Sequence, residues 1–229
     1  MRSTPIQVSA TSPVHLISLL NEISPDTHGD RRFRKASREF WIIAKAISKV
    51  RNLLPDSSLL LQHSDRPDFW LQSDNASIAI EVTSLIPEIY AQALEILGDT
   101  DQPYSVNGLF MAGDYLGKSL HPKKRDRREE VKELVARALD FKDRPSYGND
   151  WEERITRMVE ARVQEKLTRA HNYPDITNAT ERWLVIYDRA SPAGTNLKRA
   201  VADYQARNRS CTLFDTVLFL TNGELFRLH

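Results

Sequence analysis

The sequence feature that most constrains the fold is the uninterrupted apolar run WLVIY at residues 183–187. A run without polar alternation is typical of a β-strand that is buried on both faces of its sheet. Such a strand needs a packing layer on each side, which helices usually supply. The predicted elements follow the order α–β–β–β–α, then further helices, then β–α–β–β. We therefore predict the α/β class, with a mixed β-sheet flanked by helices.

Hydrophobic periodicity and turn residues set the approximate bounds of the elements. Apolar residues at steps of three and four predict a long helix over 31–54, which Pro55 ends. Asn222-Gly223 predicts a hairpin turn. Further strands are predicted at 59–61, 66–72, 77–85, 216–220 and 225–228, and further helices from Pro13 and over 88–97, 126–141, 150–171 and 192–207, the last beginning at Ala193 or Asn196. Together they predict a single domain over 1–229, with a loose arm over about 1–12 and a helical or irregular insertion over about 99–148.

Composition limits the classes of protein to which the chain can belong. Apolar residues make up 41% and charged residues 28%, which is typical of a globular protein and too apolar for a disordered one. No stretch approaches the roughly 20 apolar residues of a membrane helix, and the first residues lack the apolar segment of a signal peptide. Cys211 is the only cysteine, which excludes an internal disulfide framework and a cysteine-based metal site. We therefore expect a cytoplasmic protein with no membrane partner.

Positive and negative charges balance over the whole chain but not locally. The sequence has 32 basic and 31 acidic residues and a net charge of +1. Between residues 31 and 51 basic residues predominate, and Glu39 is the single acid. This cluster can attract a polyanion, but a solvated helix face explains it equally well, and that simpler explanation is favoured for a second basic cluster at 123–128. The candidate nucleic-acid contacts are Arg31, Arg32, Arg34, Lys35 and Arg38.

Two acidic residues stand out in the predicted hairpin of residues 66–85. Asp68 lies at the start of one strand, and Glu81 interrupts the apolar run of the partner strand. Antiparallel strands joined by a short turn can bring two such carboxylates to the same side of a sheet. A carboxylate within an apolar strand needs a physical reason, because burying an unpaired charge is costly. Two converging carboxylates would provide that reason by holding Mg²⁺, which prefers oxygen ligands.

The hairpin also resembles a known family. Pro67-Asp68, Glu81 thirteen residues after Asp68, and Thr83 two residues later resemble the motif of the PD-(D/E)XK nuclease superfamily, which has the restriction-endonuclease-like fold. The resemblance covers roughly residues 31–188 without the insertion. It implies that Asp68 and Glu81 bind one or two divalent cations, Mg²⁺ or Mn²⁺. The motif lysine, which helps to orient or activate the attacking water in the family, is replaced here by Thr83, which is otherwise an ordinary β-branched strand residue.

Two residues on helices are candidates to complete this site. The family often has a Glu on the helix before the hairpin that points at the metal, which makes Glu39 a candidate metal ligand. Glu39 lies about 40° from Ile43, at the edge of the apolar stripe. The family's lysine sometimes comes from the following helix, and Lys166 lies about 20° from Ile155, inside the apolar stripe of helix 150–171. Gln164 is the second candidate for that role. The simpler explanations are a helix-neighbour ion pair for Glu39 and snorkelling for Lys166.

The function that the resemblance implies is a metal-dependent endonuclease, a hydrolase of phosphodiester bonds. DNA is the favoured substrate, with defence against foreign DNA or repair as the favoured tasks. The alternative is a catalytically inactive protein of the same fold that binds nucleic acid or a protein, and Thr83 in place of lysine favours it. A third hypothesis is a structural or immunity-type partner whose interface is the insertion. Because many nucleases of this fold dimerise, a homodimer remains open, as does an unidentified protein partner.

Other catalytic signals are absent from the sequence. There is no phosphate-binding loop, dinucleotide-binding fingerprint or nucleophile elbow. The six histidines are scattered. His63 lies five residues before Asp68, but we predict that it is a surface loop residue.

Overall fold

The computed structural model describes residues 7–23, 31–86, 88–98, 124–140, 150–170, 178–188, 191, 194–208 and 213–229. The chain divides into two compact units. The first unit comprises Met1–Thr83, Arg162–Tyr187 and Gln205–His229, and the second comprises Ser84–Ala161 and Asp188–Tyr204. The predicted insertion 99–148 lies outside the described residues apart from 124–140.

A seven-stranded mixed sheet, flanked by helices, confirms the predicted α/β class. Its strands are β1 (Gln7–Ala10), β2 (Leu59–His63), β3 (Phe69–Gln72), β4 (Ser77–Ser84), β5 (Glu181–Asp188), β6 (Thr216–Thr221) and β7 (Glu224–Arg227). The spatial order of the strands follows the chain. Strands β1 to β4 form an antiparallel meander, and β6 and β7 form an antiparallel hairpin.

The helices lie close to their predicted positions. They are α1 (Pro13–Asn21), α2 (Arg31–Ile47), α3 (Glu88–Gly98), α4 (Lys124–Asp140), α5 (Asp150–Ala170) and α6 (Leu197–Arg207). Ser12 caps α1, since its Oγ accepts a hydrogen bond from the backbone N–H of His15, and Pro13 occupies the first turn, where a missing N–H costs nothing. None of the described helices is long and apolar enough to cross a membrane.

The predicted end of the long helix was wrong. Helix α2 ends at Ile47 rather than at residue 54, and a short 3-10 turn follows at Arg51–Leu53. Val50 and Leu54 are nevertheless buried. The apolar spacing therefore records which residues face the core, and it continues beyond the end of the helix.

The predicted loose arm over residues 1–12 was also wrong where it is described. Gln7–Ala10 pairs with β2 as an edge strand, in the register Val8 to Leu61. Four residues with one strongly apolar side chain give almost no periodic signal. The backbone hydrogen bonds of β2 stabilise this strand, and such tertiary pairing is invisible in the local sequence.

Each unit has its own buried apolar cluster. In the first unit, α1, α2 and one face of the sheet share a core in which the rings of Phe40 and Phe69 lie 5.7 Å apart. In the second unit, Tyr90 and Leu97 of α3 pack with Val131 and Leu134 of α4. The candidate functional residues described below all belong to the first unit.

Candidate active site

The register of the β3–β4 hairpin places the two predicted carboxylates opposite each other. Phe69 pairs with Ile80, so that Asp68, one residue earlier, lies across from Glu81. The backbone N–H of Val82 donates a hydrogen bond of 2.8 Å to Asp68 Oδ2. This bond fixes the Asp68 carboxylate beside β4, although Asp68 itself precedes the first residue of β3.

Glu81 is an ionisable residue inside the apolar strand β4. The neighbouring residues Ile80 and Val82 belong to the core shared with α1 and α2, so the alternation of a strand directs Glu81 to the opposite face of the sheet. Its side chain is only 3% exposed. Burial this deep requires a partner for the charge.

Lys166 of α5 is that partner. Its Nζ lies 2.6 Å from Glu81 Oε2 and 3.8 Å from Asp68 Oδ2, and its side chain is 13% exposed. The structure thus brings together the two strand carboxylates and the helical lysine. The spacing argument selected these three residues, and their catalytic role stays a prediction.

The sequence of α5 explains why Lys166 faces inward. Val163, one turn before it, is buried, and residues three or four apart share one face of a helix. Two arginines of the same helix are engaged elsewhere, since Glu165 forms ion pairs with Arg162 and with Arg169, the latter at 2.8 Å. Gln164 is exposed, and its carbonyl accepts a hydrogen bond from the Thr168 hydroxyl.

The electrostatics of the cluster are dominated by burial. The pKa of Asp68 is raised to about 6, first by burial and then by the negative charge of Glu81. The positive charge of Lys166 and the Val82 hydrogen bond act in the opposite direction, and the charge of Glu39 raises the pKa further. The positive charge of Lys166 therefore does not offset burial and the two neighbouring acids, and the neutral form of Asp68 is favoured up to about pH 6.

Glu39 lies on α2 and faces a histidine. Its Oε2 is 3.6 Å from Nε2 of His63, and both side chains are largely buried. His63 is the last residue of β2, so the prediction of a surface loop was wrong. It pairs with Phe69, the residue after Asp68, and its ring meets the Phe69 ring edge-on at 5.0 Å. The only sequence signal for this position is the strand register, which cannot be read from spacing alone.

Of the remaining predicted site residues, the structure describes the side chains of Thr83 and Arg38. Thr83 is half-buried on β4, where the family motif has lysine, and Arg38 is exposed on α2. The side chains of Arg31, Arg32, Arg34 and Lys35 lie outside the described residues, so the predicted nucleic-acid contacts stay a prediction.

The carboxylates of Asp68 and Glu81 are the type of ligand that a hard divalent cation prefers. Two carboxylates supply oxygen ligands of the kind that Mg²⁺ prefers, and the negative charge of Glu81 adds to burial in raising the pKa of Asp68. Within the described ranges, no group of three or more His, Cys, Asp or Glu side chains is arranged to hold a metal ion. Water, backbone carbonyl groups and substrate oxygens are the kinds of further ligand that Mg²⁺ commonly accepts beside one or two carboxylates.

Comparison with known proteins adds no relative. No family model, no curated protein and no solved structure matches this chain. The functional inference therefore depends on the residues of the chain itself.

Proposed function

We propose that this protein is a Mg²⁺-dependent nuclease with a restriction-endonuclease-like fold. The observation that carries the proposal is the contact of Lys166 Nζ with Glu81 at 2.6 Å and with Asp68 at 3.8 Å. Two carboxylates on adjacent strands with a lysine between them are the chemical groups of the motif that the hairpin resembles. Here the lysine comes from α5, and Thr83 stands at the motif position.

Each residue would have a distinct part in hydrolysis. Asp68 and Glu81 would hold the cation, which when bound supplies an acidified water and charge stabilisation at the phosphate. The Val82 N–H fixes Asp68, so that this carboxylate needs little reorganisation. Lys166 would place a positive charge beside the scissile phosphate, and its contact with Glu81 sets its position.

The favoured substrate is DNA. The exposed Arg38 on α2 is suited to a flanking phosphate, and the neighbouring basic residues of the sequence extend that potential. Such contacts make affinity fall steeply with salt, because binding releases counterions from the nucleic acid. Defence against foreign DNA, or repair, is the task that we infer, and the single cysteine suits action in the reducing cytoplasm.

One observation favours a second candidate, a catalytically inactive protein of this fold that binds nucleic acid or a protein. Lys166 already neutralises Glu81, the carboxylate that a cation would need. Combined with Thr83 at the motif position, this contact could replace the metal as a purely structural ion pair.

A cleavage assay separates the two candidates. Linear, circular and single-stranded DNA, and RNA, would be incubated with the protein and Mg²⁺ or Mn²⁺. The variants are Asp68→Asn, Glu81→Gln and Lys166→Ala, with Asp74→Asn in the exposed β3–β4 turn as the matched control. Metal-dependent cleavage that the three site variants lose and the control retains would support the nuclease.

Two other results would overturn that conclusion. Cleavage that survives in Asp68→Asn and Glu81→Gln would mean that the site is elsewhere or that the preparation is contaminated. Absence of cleavage, together with absence of a Mg²⁺-induced rise in Tm, would favour the inactive binding protein, since a ligand that binds the folded state raises stability by mass action.

A further inference from the structure

A second pair of polar side chains lies between α2 and the end of β2. Glu39 Oε2 and His63 Nε2 are 3.6 Å apart, which exceeds the roughly 2.7–3.2 Å of an N–H···O hydrogen bond. His63 Nε2 is nevertheless buried and has no hydrogen-bond partner among the residues that the structure describes. Buried polar atoms are nearly always satisfied, so this nitrogen calls for a physical reason.

The separation suits two ligands of one metal ion. Nitrogen and oxygen ligands lie about 2.0–2.2 Å from Zn²⁺, and two such ligands in a tetrahedral arrangement are about 3.4 Å apart. We propose that Glu39 and His63 bind a transition-metal cation, with Zn²⁺ as its representative, so that Glu39 belongs to a site beside the Asp68–Glu81 pair instead of completing that pair. The imidazole determines this preference, because ring nitrogen suits Zn²⁺ and related metals, whereas Mg²⁺ prefers oxygen ligands.

Both ligands are held on regular elements. The His63 ring packs edge-on against Phe69, at an angle of 77° between the ring planes. Phe69 packs in turn against Phe40, the residue after Glu39 on α2. The same aromatic contacts thus position both ligands, and sites on helices and strands are more precisely held than sites on loops.

The proposed site adjoins the carboxylate pair. Phe69, the pairing partner of His63, directly follows Asp68, and the charge of Glu39 contributes to the raised pKa of Asp68. A cation at Glu39 and His63 would offset that charge. Metal binding itself is independent of the proposed nuclease activity, whereas any part of this site in phosphodiester hydrolysis would rest on it.

Calorimetric titration of the full chain with ZnCl₂, and separately with MgCl₂, tests the proposal. The variants are His63→Gln and Glu39→Gln, with His229→Gln as a matched control at an exposed histidine. We expect Zn²⁺ affinity to fall at least ~10-fold in both site variants, since even the partners that support metal ligands contribute on the order of 10–100-fold. Affinity for Zn²⁺ in the control should equal that of the wild type, and Mg²⁺ binding should be unchanged in His63→Gln and in the control.

A spectroscopic measurement on the wild type keeps the test independent of folding in the variants. The ¹⁵N shift of His63 Nε2 should change to that of a metal-bound nitrogen when Zn²⁺ is added. A ¹⁵N shift typical of a protonated ring, unchanged by Zn²⁺, would overturn the proposal in favour of a simple ion pair with Glu39. Equal Zn²⁺ affinity of the wild type and all variants would also overturn it.

The two proposals fail separately. Mg²⁺-dependent cleavage without a Zn²⁺ site overturns only the present inference. Zn²⁺ binding that requires His63, in a protein that cleaves no substrate, supports the present inference and overturns the nuclease.

Discussion

At Asp68, burial and the charges of three neighbouring side chains act on a single carboxyl group. Its pKa is raised from 3.8 to about 6, although Lys166 and the Val82 N–H both favour the ionised form. An acid with a raised pKa binds its proton more tightly in the folded state than in the unfolded state. Its contribution to stability is therefore present below pH 4 or so and is lost as the pH rises through about 6.

We therefore expect Asp68→Asn to stabilise the protein at high pH in the absence of divalent cations. At pH 8 the variant should gain on the order of 1–2 kcal/mol, a rise in Tm of about 2–8 °C for a chain of this size. At pH 4 the two Tm values should nearly coincide. Thermal denaturation at both pH values is the measurement, with Asp74→Asn as an exposed control. A lower Tm for Asp68→Asn at pH 8 would contradict the argument.

The Glu81–Lys166 contact predicts a compensating pair of substitutions. Lys166→Met should destabilise the fold by about 3–5 kcal/mol, because it leaves the buried Glu81 carboxylate without its cation. Glu81→Gln combined with Lys166→Met removes both charges and should recover most of that loss. Urea unfolding of the wild type, both single variants and the double variant measures the coupling. Additive effects would mean that the two side chains do not depend on each other.

At the scale of single residues, the sequence identified site residues where the apolar periodicity of a strand or helix was clear. The break in the apolar run of β4 singled out Glu81, and the helical wheel of α5 selected Lys166 from a helix rich in charges. His63 was misjudged because its position depends on the pairing of β2 with β3. Pairing between strands is a tertiary property that no local pattern encodes.

At the scale of elements, local turn chemistry was a reliable guide. The predicted Asn222-Gly223 turn joins β6 to β7, with φ of 47° at Asn222 and 78° at Gly223. Two consecutive positive φ values match the twist of the hairpin strands. By contrast, no turn residue marks the end of α2 at Ile47, and its apolar spacing carried the prediction too far.

The hairpin provides a prediction about stability. Gly223→Ala should destabilise the protein by about 1–2 kcal/mol, because a side chain at positive φ is strained even where space is open. Gly98→Ala is the matched control, since Gly98 ends α3 without a positive φ and an added Cβ meets nothing within 4 Å. We expect that change to be neutral or slightly stabilising. Chemical denaturation of the three proteins makes the comparison, and equal losses at both glycines would refute the conformational explanation.

At the scale of the whole molecule, some properties cannot be read from the sequence. The chain crosses between the two units at residues 83–84, 161–162, 187–188 and 204–205. Two of these crossings fall near the ends of strands, and the other two fall within helices α5 and α6. No single linker or shift in composition marks the division. Likewise, a net charge of +1 does not identify a partner, and the nucleic-acid partner stays a proposal that depends on local charge.

The distribution of the core predicts how the protein responds to metal removal. The buried cluster of the first unit is built from apolar residues of α1, α2 and the sheet and contains no proposed metal ligand. Folding should therefore not depend on a cation, unlike that of a small domain held together by zinc. With EDTA we expect cleavage to stop while circular dichroism shows an unchanged fold. Tm should fall only to the metal-free value, and added Mg²⁺ should restore both Tm and cleavage. Unfolding on chelation would instead assign the cation a structural role, and cleavage that persists in EDTA would remove the metal from the proposed chemistry.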